Sequence, residues 1–141
     1  MRVGNDSGRL GVNCNPEYTL DVVGAGRFTG IVTSENFVNS SDARIKAAIE
    51  NADQAECARL VRAIQPQTYR RTDLGSDARR IGYLANYWDR QLPSEFRNIM
   101  GSALANDGTQ LLALDYSRIV PILHGALLSA LARIEALESR V

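Results

Sequence analysis

The C-terminal part of the chain carries the pattern that most restricts its fold. Apolar residues recur there at alternating intervals of three and four, namely Val120, Leu123, Leu127, Ala130, Ile134, Leu137 and Val141. This spacing places them in one continuous row along a helix, which is the heptad pattern of a coiled coil. We therefore predict a long C-terminal helix that associates with copies of itself through these residues, called the seam below.

The seam predicts an oligomer without fixing its copy number. About three heptads are marginal for a coiled coil that stands alone, so burial elsewhere must contribute. One core position holds Val, Leu, Ile and Val and the other holds Leu, Ala and Leu, a composition that favours a dimer. Leu128 and Leu131 widen the apolar stripe, which indicates that the helix also packs on its own domain.

Residues 1–40 differ in composition from the rest of the chain. Glycines and turn residues separate short β-rich pieces at 9–12, 18–23 and 27–32. Such short strands cannot close a core alone, so we predict a β-rich stalk segment that needs partners, such as the same segment of other copies.

Residues 41–141 form the second predicted part, a small domain of helices and a hairpin. Helical spacing predicts two helices between Ser41 and Pro66, the second with Asp53 as its N-cap. Strands are predicted at 67–71, 79–84 and 110–114, with a short helix at 85–91. The fold class is therefore α+β, mainly α.

Four arginines flank the turn between the first two of these strands: Arg70, Arg71, Arg79 and Arg80. A charge run of this kind usually forms a solvated hairpin arm with acidic partners. The alternative is an arm that grips the stalk of the same assembly.

The composition disfavours several classes of function. The 16 basic and 16 acidic side chains cancel, which argues against a broad electrostatic grip on nucleic acid or anionic lipid. Cys14, Cys57 and the lone His124 match no metal or disulfide spacing, so we predict no metal and no cofactor. We also expect no membrane span and no signal peptide.

One short stretch, NSSDARIKAA, suggests chemistry. Its Lys46 is the only lysine in the chain, and the other basic residues are all arginines. A serine hydroxyl becomes a nucleophile when a base removes its proton, and a neutral lysine can be that base. Neutrality requires a desolvated site that lowers the amine's pKa from about 10.4, and arginine cannot take this role because it keeps its proton.

A structural interpretation of the same stretch stands beside the catalytic one. Ser41 caps a helix, Asp42 complements the helix dipole, and Lys46 is an exposed helical residue. Both interpretations hold together if Ser41 lies at the helix mouth, where free N–H groups would stabilise an oxyanion.

Several motifs of this chain, taken in order, resemble the intramolecular chaperone domain of endosialidases and phage tail spikes, the S74 peptidase family. The resemblance covers about 41–141 and rests on Ser41, Asp42, Arg44 and Lys46, then Ile64, Pro66 and Tyr69, then Ile81, Gly82, Tyr83, Leu84 and Ala85, then Leu92 and Pro93, and finally Asp115 and Tyr116. Asn86, Tyr87 and Trp88 depart from the family's usual residues. The segment LGVNCNPEYTLDVVGAGRFTG resembles the ends of trimeric phage fibres, with Asn13 where a second glycine is usual.

The resemblance implies a homotrimer that holds three upstream fibre or spike chains in register and then cuts itself free. Ser41 would be the nucleophile and Lys46 the general base, with Arg44 supporting the motif. Family analogy puts the cut between Ser41 and Asp42, whereas an acyl shift onto Ser41 cuts one bond earlier. The passenger would belong to the virion, and the chaperone would act in the host cytoplasm during assembly, with no nucleic acid or membrane partner.

Two other functions compete with the self-cleaving chaperone. The first is a trimeric tip of a tail fibre that stays attached, caps the stalk and binds a receptor. The second is a chaperone domain within a eukaryotic membrane-bound transcription factor, which the fibre-like residues 1–40 and the expected lack of a membrane span disfavour.

Overall fold

The computed structural model describes residues 3–6, 8–28, 30–105 and 107–140, which divide into two compact units, Met1–Ala47 and Ala48–Val141. Helical residues outnumber strand residues, and the longest helix is C-terminal. The predicted mixture of α and β structure is therefore confirmed.

Among its described residues, the first unit contains one small sheet of three strands. They are β1 (Val3–Asp6), β2 (Arg9–Val12) and β3 (Leu20–Val22), in that order, with β1 antiparallel and β3 parallel to the central β2. Gly11 in β2 is buried, and a Cβ there would lie 2.6 Å from the Cys14 carbonyl oxygen. The predicted strands at 9–12 and 18–23 are therefore confirmed, the second with shorter bounds.

The predicted strand at 27–32 is wrong for the residues described there. These residues form no strand, and Phe28 and Ile31 are exposed, Ile31 to 96%. A strand needs a neighbouring strand for its backbone hydrogen bonds, and the described part of this unit provides none beside this segment.

Asn13 adopts a left-handed backbone conformation, with φ 60°. Residues with a Cβ rarely take this conformation, and asparagine tolerates it best after glycine. This explains why asparagine can replace the second glycine that is usual at this position in the phage fibre ends that the segment resembles.

The described part of the second unit contains three α-helices and two hairpins. In chain order its elements are α1 (Gln54–Ala63), β4 (Gln67–Tyr69), β5 (Arg80–Gly82), α2 (Ala85–Gln91), β6 (Met100–Leu104), β7 (Gln110–Leu114) and α3 (Ile119–Glu138). The strands pair antiparallel, β4 with β5 and β6 with β7.

Local sequence signals explain where α1 begins and ends. The Asp53 carboxylate accepts hydrogen bonds from the backbone N–H groups of Ala55 and Glu56, at 2.8 and 3.2 Å. This satisfies two of the donors that a helix N-terminus leaves without partners, as predicted. Pro66, which lacks an N–H group, follows shortly after the last helical residue.

The core of the second unit lies where α1 packs against α3. Leu60 and Cys57 of α1 are fully buried, and Trp88 of α2 closes the cluster from another side. Burying a leucine side chain of this kind stabilises the fold by about 1.5–3 kcal/mol. The buried cluster comprises Cys57, Leu60, Ile64, Trp88, Leu92, Ile99, Ile119 and Ile122.

Gly125 sets the distance between the two helices. A Cβ at this position would lie 2.8 Å from Cys57 Sγ and 3.1 Å from Cys57 Cβ, closer than side chains pack. The absence of a side chain therefore allows α1 to approach the backbone of α3.

The helix α3 has one buried face and one exposed apolar face. Ile119, Ile122 and Gly125 pack inward, whereas the seam residues from Val120 to Leu137 are exposed. The expectation that the helix also packs on its own domain is confirmed through Ile119, Ile122 and Gly125. Leu128 and Leu131, which suggested it, are themselves exposed. Val141 lies outside the described residues, and the coiled coil stays a prediction.

The segment Tyr116–Glu138 is long and apolar enough to cross a membrane, with a mean hydropathy of 1.4 over its most apolar window. This criterion does not test whether the helix enters a membrane, so the expectation of no membrane span stays a prediction. The same exposed leucines and isoleucines satisfy both the heptad pattern and the hydropathy criterion, and length and composition alone do not separate the two.

Gly125→Ala is expected to lower the free energy of unfolding by about 1–3 kcal/mol, because the added methyl group forces α1 away from α3. Alanine favours helix over glycine by about 1 kcal/mol, so a loss of stability would have to come from packing. Urea denaturation followed by circular dichroism measures the change.

Ala132→Gly, at an exposed position of α3 off the seam, is the matched control, and it is expected to cost only about 1 kcal/mol of helix propensity. A Gly125→Ala protein as stable as the wild type would contradict the close helix contact.

Candidate active site

The residues Ser41 to Lys46 form a single tight turn in the first unit. Ala43–Ile45 make one turn of 3₁₀ helix, and Asp42 precedes it as the N-cap. The Asp42 carboxylate accepts a hydrogen bond from the Arg44 backbone N–H at 2.8 Å. The Lys46 N–H donates to the Ala43 carbonyl at 3.0 Å and closes the turn.

The predicted helix that begins at Ser41 is wrong. The backbone leaves the helical region at Lys46, and Ala48 is left-handed with φ 49°, which no right-handed helix accommodates. Ile45 and Ile49, whose spacing suggested a helix, are both more than 60% exposed. Ser41 is therefore not a helix N-cap, and the expected oxyanion site at a helix mouth has no helix to form it.

The turn brings the two predicted catalytic side chains together. Lys46 Nζ donates a hydrogen bond to Ser41 Oγ at 2.8 Å. This distance is within the range at which an amine and a hydroxyl exchange a proton. Both side chains are exposed in the single chain, so this contact does not depend on a surrounding core.

A second pair of charged side chains lies on the same turn. Arg44 Nε and Nη2 donate to the two carboxylate oxygens of Asp42, at 3.0 and 2.7 Å. The side-chain hydrogen bond from Arg44 and then its backbone N–H lower the pKa of Asp42, and the same carboxylate raises the pKa of Arg44. The pair therefore stays ionised at neutral pH, with its two charges facing each other.

The four arginines of the predicted arm flank the turn between β4 and β5. Arg71 pairs with Asp73, and Arg70 Nη1 lies 3.7 Å from Asp77 Oδ1. Arg79 donates to the Thr68 hydroxyl at 2.7 Å. All four arginines, including Arg80, are exposed, and Arg70 and Arg71 have the acidic partners expected of a solvated hairpin. Whether it grips a stalk stays a prediction.

The structure brings together a cluster of tyrosines that was not predicted from the sequence. Tyr116 Oη accepts a hydrogen bond from the Tyr83 backbone N–H at 2.9 Å. A Cβ on Gly82 would lie 2.6 Å from Tyr116 Oη and 3.0 Å from Tyr69 Oη, so only glycine fits there. Together with Arg71 these tyrosines line an open cleft of about 300 Å³. All of these tyrosines are motif residues named above, and this shared membership was the only sequence signal that could have indicated the cluster, since they come from three separate segments of the chain.

The remaining candidate groups belong to other segments of the chain. Both cysteines are free; Cys57 is buried in the second unit, and Cys14 is half-buried in the first. Burial, with Asp53 and Glu56 adding to it, raises the pKa of the Cys57 thiol. His124 is exposed on α3. Within the described ranges no three His, Cys, Asp or Glu side chains lie close enough to hold a metal ion.

No protein-family model matches the chain, and no curated protein matches it either. The resemblance to self-cleaving chaperones therefore rests on the residues described above.

The two cysteines are expected to differ in reactivity toward a thiol reagent such as DTNB. A thiol reacts as its thiolate, so the raised pKa and the burial of Cys57 both slow its reaction near pH 8. Native protein should expose at most one reactive thiol, Cys14, and denatured protein should expose two. Cys14→Ala protein that still reacts rapidly in the native state would contradict the burial of Cys57.

Proposed function

We propose that this chain is a self-cleaving intramolecular chaperone of a phage tail fibre or spike, with Ser41 and Lys46 as its catalytic pair. The observation that carries the proposal is the 2.8 Å contact between Lys46 Nζ and Ser41 Oγ on a turn closed by its own hydrogen bonds. The ordered motifs of 41–141 supply the chaperone interpretation, and the tyrosine cluster supports it, because motif residues from distant segments pack together.

The chemistry of the pair follows from its donors and acceptors. A neutral Lys46 amine accepts the Ser41 hydroxyl proton while Oγ attacks a neighbouring carbonyl carbon. Attack on the carbonyl that precedes Ser41 breaks that peptide bond and forms an ester, and the proton passes to the released amine. Water then hydrolyses the ester and gives a new carboxylate upstream and a free hydroxyl on Ser41. The alternative scissile bond is the one between Ser41 and Asp42, which the family analogy implies.

Control of the reaction would come from assembly. An amine in bulk water is mostly protonated at neutral pH and is then a poor base. Lys46 is exposed in the single chain, so neighbouring copies would have to remove water from it before cleavage starts. Such a requirement ties cutting to the completed homotrimer and prevents premature release.

The exposed apolar surfaces are consistent with an assembling protein. Val120, Leu127 and Ile134 of the seam are each at least 50% exposed, as are Phe28, Ile31 and Phe37 of the first unit. Pairing of several chains in register is slow, and tethering them through a common oligomer raises their effective concentration. Removal of the tether then leaves a product that is stable because it cannot easily reopen and refold.

A non-cleaving tip of a tail fibre is the second candidate. The observation that favours it is the exposure of Lys46, because a solvated ammonium group that donates to a serine can also be a purely structural contact. In this case the trimer would stay attached to the stalk and cap it or bind a receptor.

Ser41→Ala and Lys46→Arg are expected to abolish self-cleavage, because the first lacks the nucleophile and the second cannot lose its proton at neutral pH. Loss of the general base should slow cleavage by at least about 100-fold. Intact mass spectrometry of freshly made protein checks this result and identifies the scissile bond.

Ser34→Ala is the matched control, since this exposed serine of the first unit lies outside the turn and belongs to neither of the two candidate scissile bonds. It should cleave at the wild-type rate. A wild-type chain that stays intact as a complete oligomer would support the non-cleaving tip instead.

Leu127→Glu is expected to break the oligomer, because it places a charge in the middle of the exposed seam. Light scattering should give a mass near three chains for the wild type and near one chain for this variant. His124→Glu, which alters an exposed position off the seam, should keep the wild-type mass. A wild-type protein with the mass of one chain would overturn the proposed assembly.

A further inference from the structure

Asp42 and Arg44 form an ion pair, and both lie between the two proposed catalytic residues in the sequence. Asp42 follows Ser41 directly, and Arg44 lies two residues before Lys46. Both oxygens of the Asp42 carboxylate are engaged by the guanidinium group of Arg44, and one also accepts the Arg44 backbone N–H. The carboxylate therefore has two tasks, to close the turn and to bind arginine.

Lys46 makes no ion pair with this carboxylate, although both belong to one short turn. Its Nζ is instead hydrogen-bonded to Ser41 Oγ. Within the described part of the first unit, the remaining charged side chains also neither pair nor hydrogen-bond with Lys46; they are Arg9, Glu17, Asp21, Arg27 and Glu35. Among the charged side chains described in the first unit, those nearest to Lys46 in the chain are Asp42 and Arg44 of its own turn.

We propose that Arg44 is a positioning residue that keeps the Asp42 carboxylate away from Lys46, so that the amine remains free to bind and deprotonate Ser41. This inference rests on the proposed self-cleavage and names the part of the motif that protects its base. Without Arg44 the carboxylate would be the nearest strong acceptor for the lysine. An ion pair between them would hold the amine as ammonium and draw it away from the serine hydroxyl.

The chemistry of arginine suits this role. A guanidinium group binds a carboxylate through two parallel hydrogen bonds and does not lose its proton, so its own charge is permanent. A second lysine at this position would compete for the same proton and would bind through a single point of contact. The turn thus uses its only lysine as the base and an arginine as the permanent charge.

Two variants, one that removes the positive charge of Arg44 and one that removes the negative charge of Asp42, test the proposal, because they should shift the titration of Lys46 in opposite directions. Arg44→Gln leaves the Asp42 charge unopposed, and Asp42→Asn leaves the Arg44 charge unopposed, while an asparagine oxygen still accepts the backbone N–H that closes the turn. The double variant Asp42→Asn/Arg44→Gln has neither charge. A merely structural role for the pair would make both single variants change in the same direction.

The first measurement uses the single lysine as a spectroscopic probe in the full chain. Selective ¹³Cε labelling of lysine gives one resonance, whose pH titration is followed by NMR in a Ser41→Ala background that cannot cleave. Relative to that background, Arg44→Gln should raise the titration midpoint by about half a pH unit or more, Asp42→Asn should lower it, and the double variant should restore it.

The second measurement is the rate of self-cleavage against pH with Ser41 in place. Arg44→Gln should shift the rising limb of the profile to higher pH and slow cleavage at neutral pH by about threefold or more, and the double variant should recover most of the rate. Midpoints that do not move, or that move in the same direction in both single variants, would overturn the inference. A wild-type chain that never cleaves would instead overturn the proposed function, while the lysine titration still decides whether Arg44 shields the amine.

Discussion

The contact between α1 and α3 is the constraint on which the second unit depends. Gly125 has no side chain, so Cys57 of α1 reaches the backbone of α3. This close approach commits the inner face of α3, with Ile119 and Ile122, to its own domain. The seam lies on a different face of the helix and stays exposed. One helix can therefore belong to its own core and still offer an apolar surface to other copies.

The proposed active site is stabilised differently, because local hydrogen bonds hold the turn and no hydrophobic core of the described residues packs around it. Asp42 closes the turn, Arg44 binds Asp42, and the backbone of Lys46 returns to Ala43. A turn of this kind needs few distant contacts to form, so the geometry of the pair can exist before assembly. Assembly would then have to supply only the exclusion of water, which fits a reaction that starts after the subunits meet.

Several elements could be predicted from sequence because their signals are local. The helix Ala85–Gln91 and the strand Gln110–Leu114 have the predicted bounds, one limited by Pro93 and the other preceded by a left-handed Gly108. The pairing of Ser41 with Lys46 was predicted from their chemistry, although its geometry was not, because the expected helix is replaced by a 3₁₀ turn. The tyrosine cluster was beyond sequence reasoning, because Tyr69 and Tyr116 lie far apart in the chain and meet only over Gly82.

The position of α3 in the chain has a consequence for the timing of biosynthesis. It follows every other helix and strand of the described structure, so the ribosome releases it after all of them. Copies that associate through its exposed face can do so only once the preceding sheet and turn have left the exit tunnel. If neighbouring polypeptides associate through this face, translation order would delay their association until the first unit of each chain has left the ribosome.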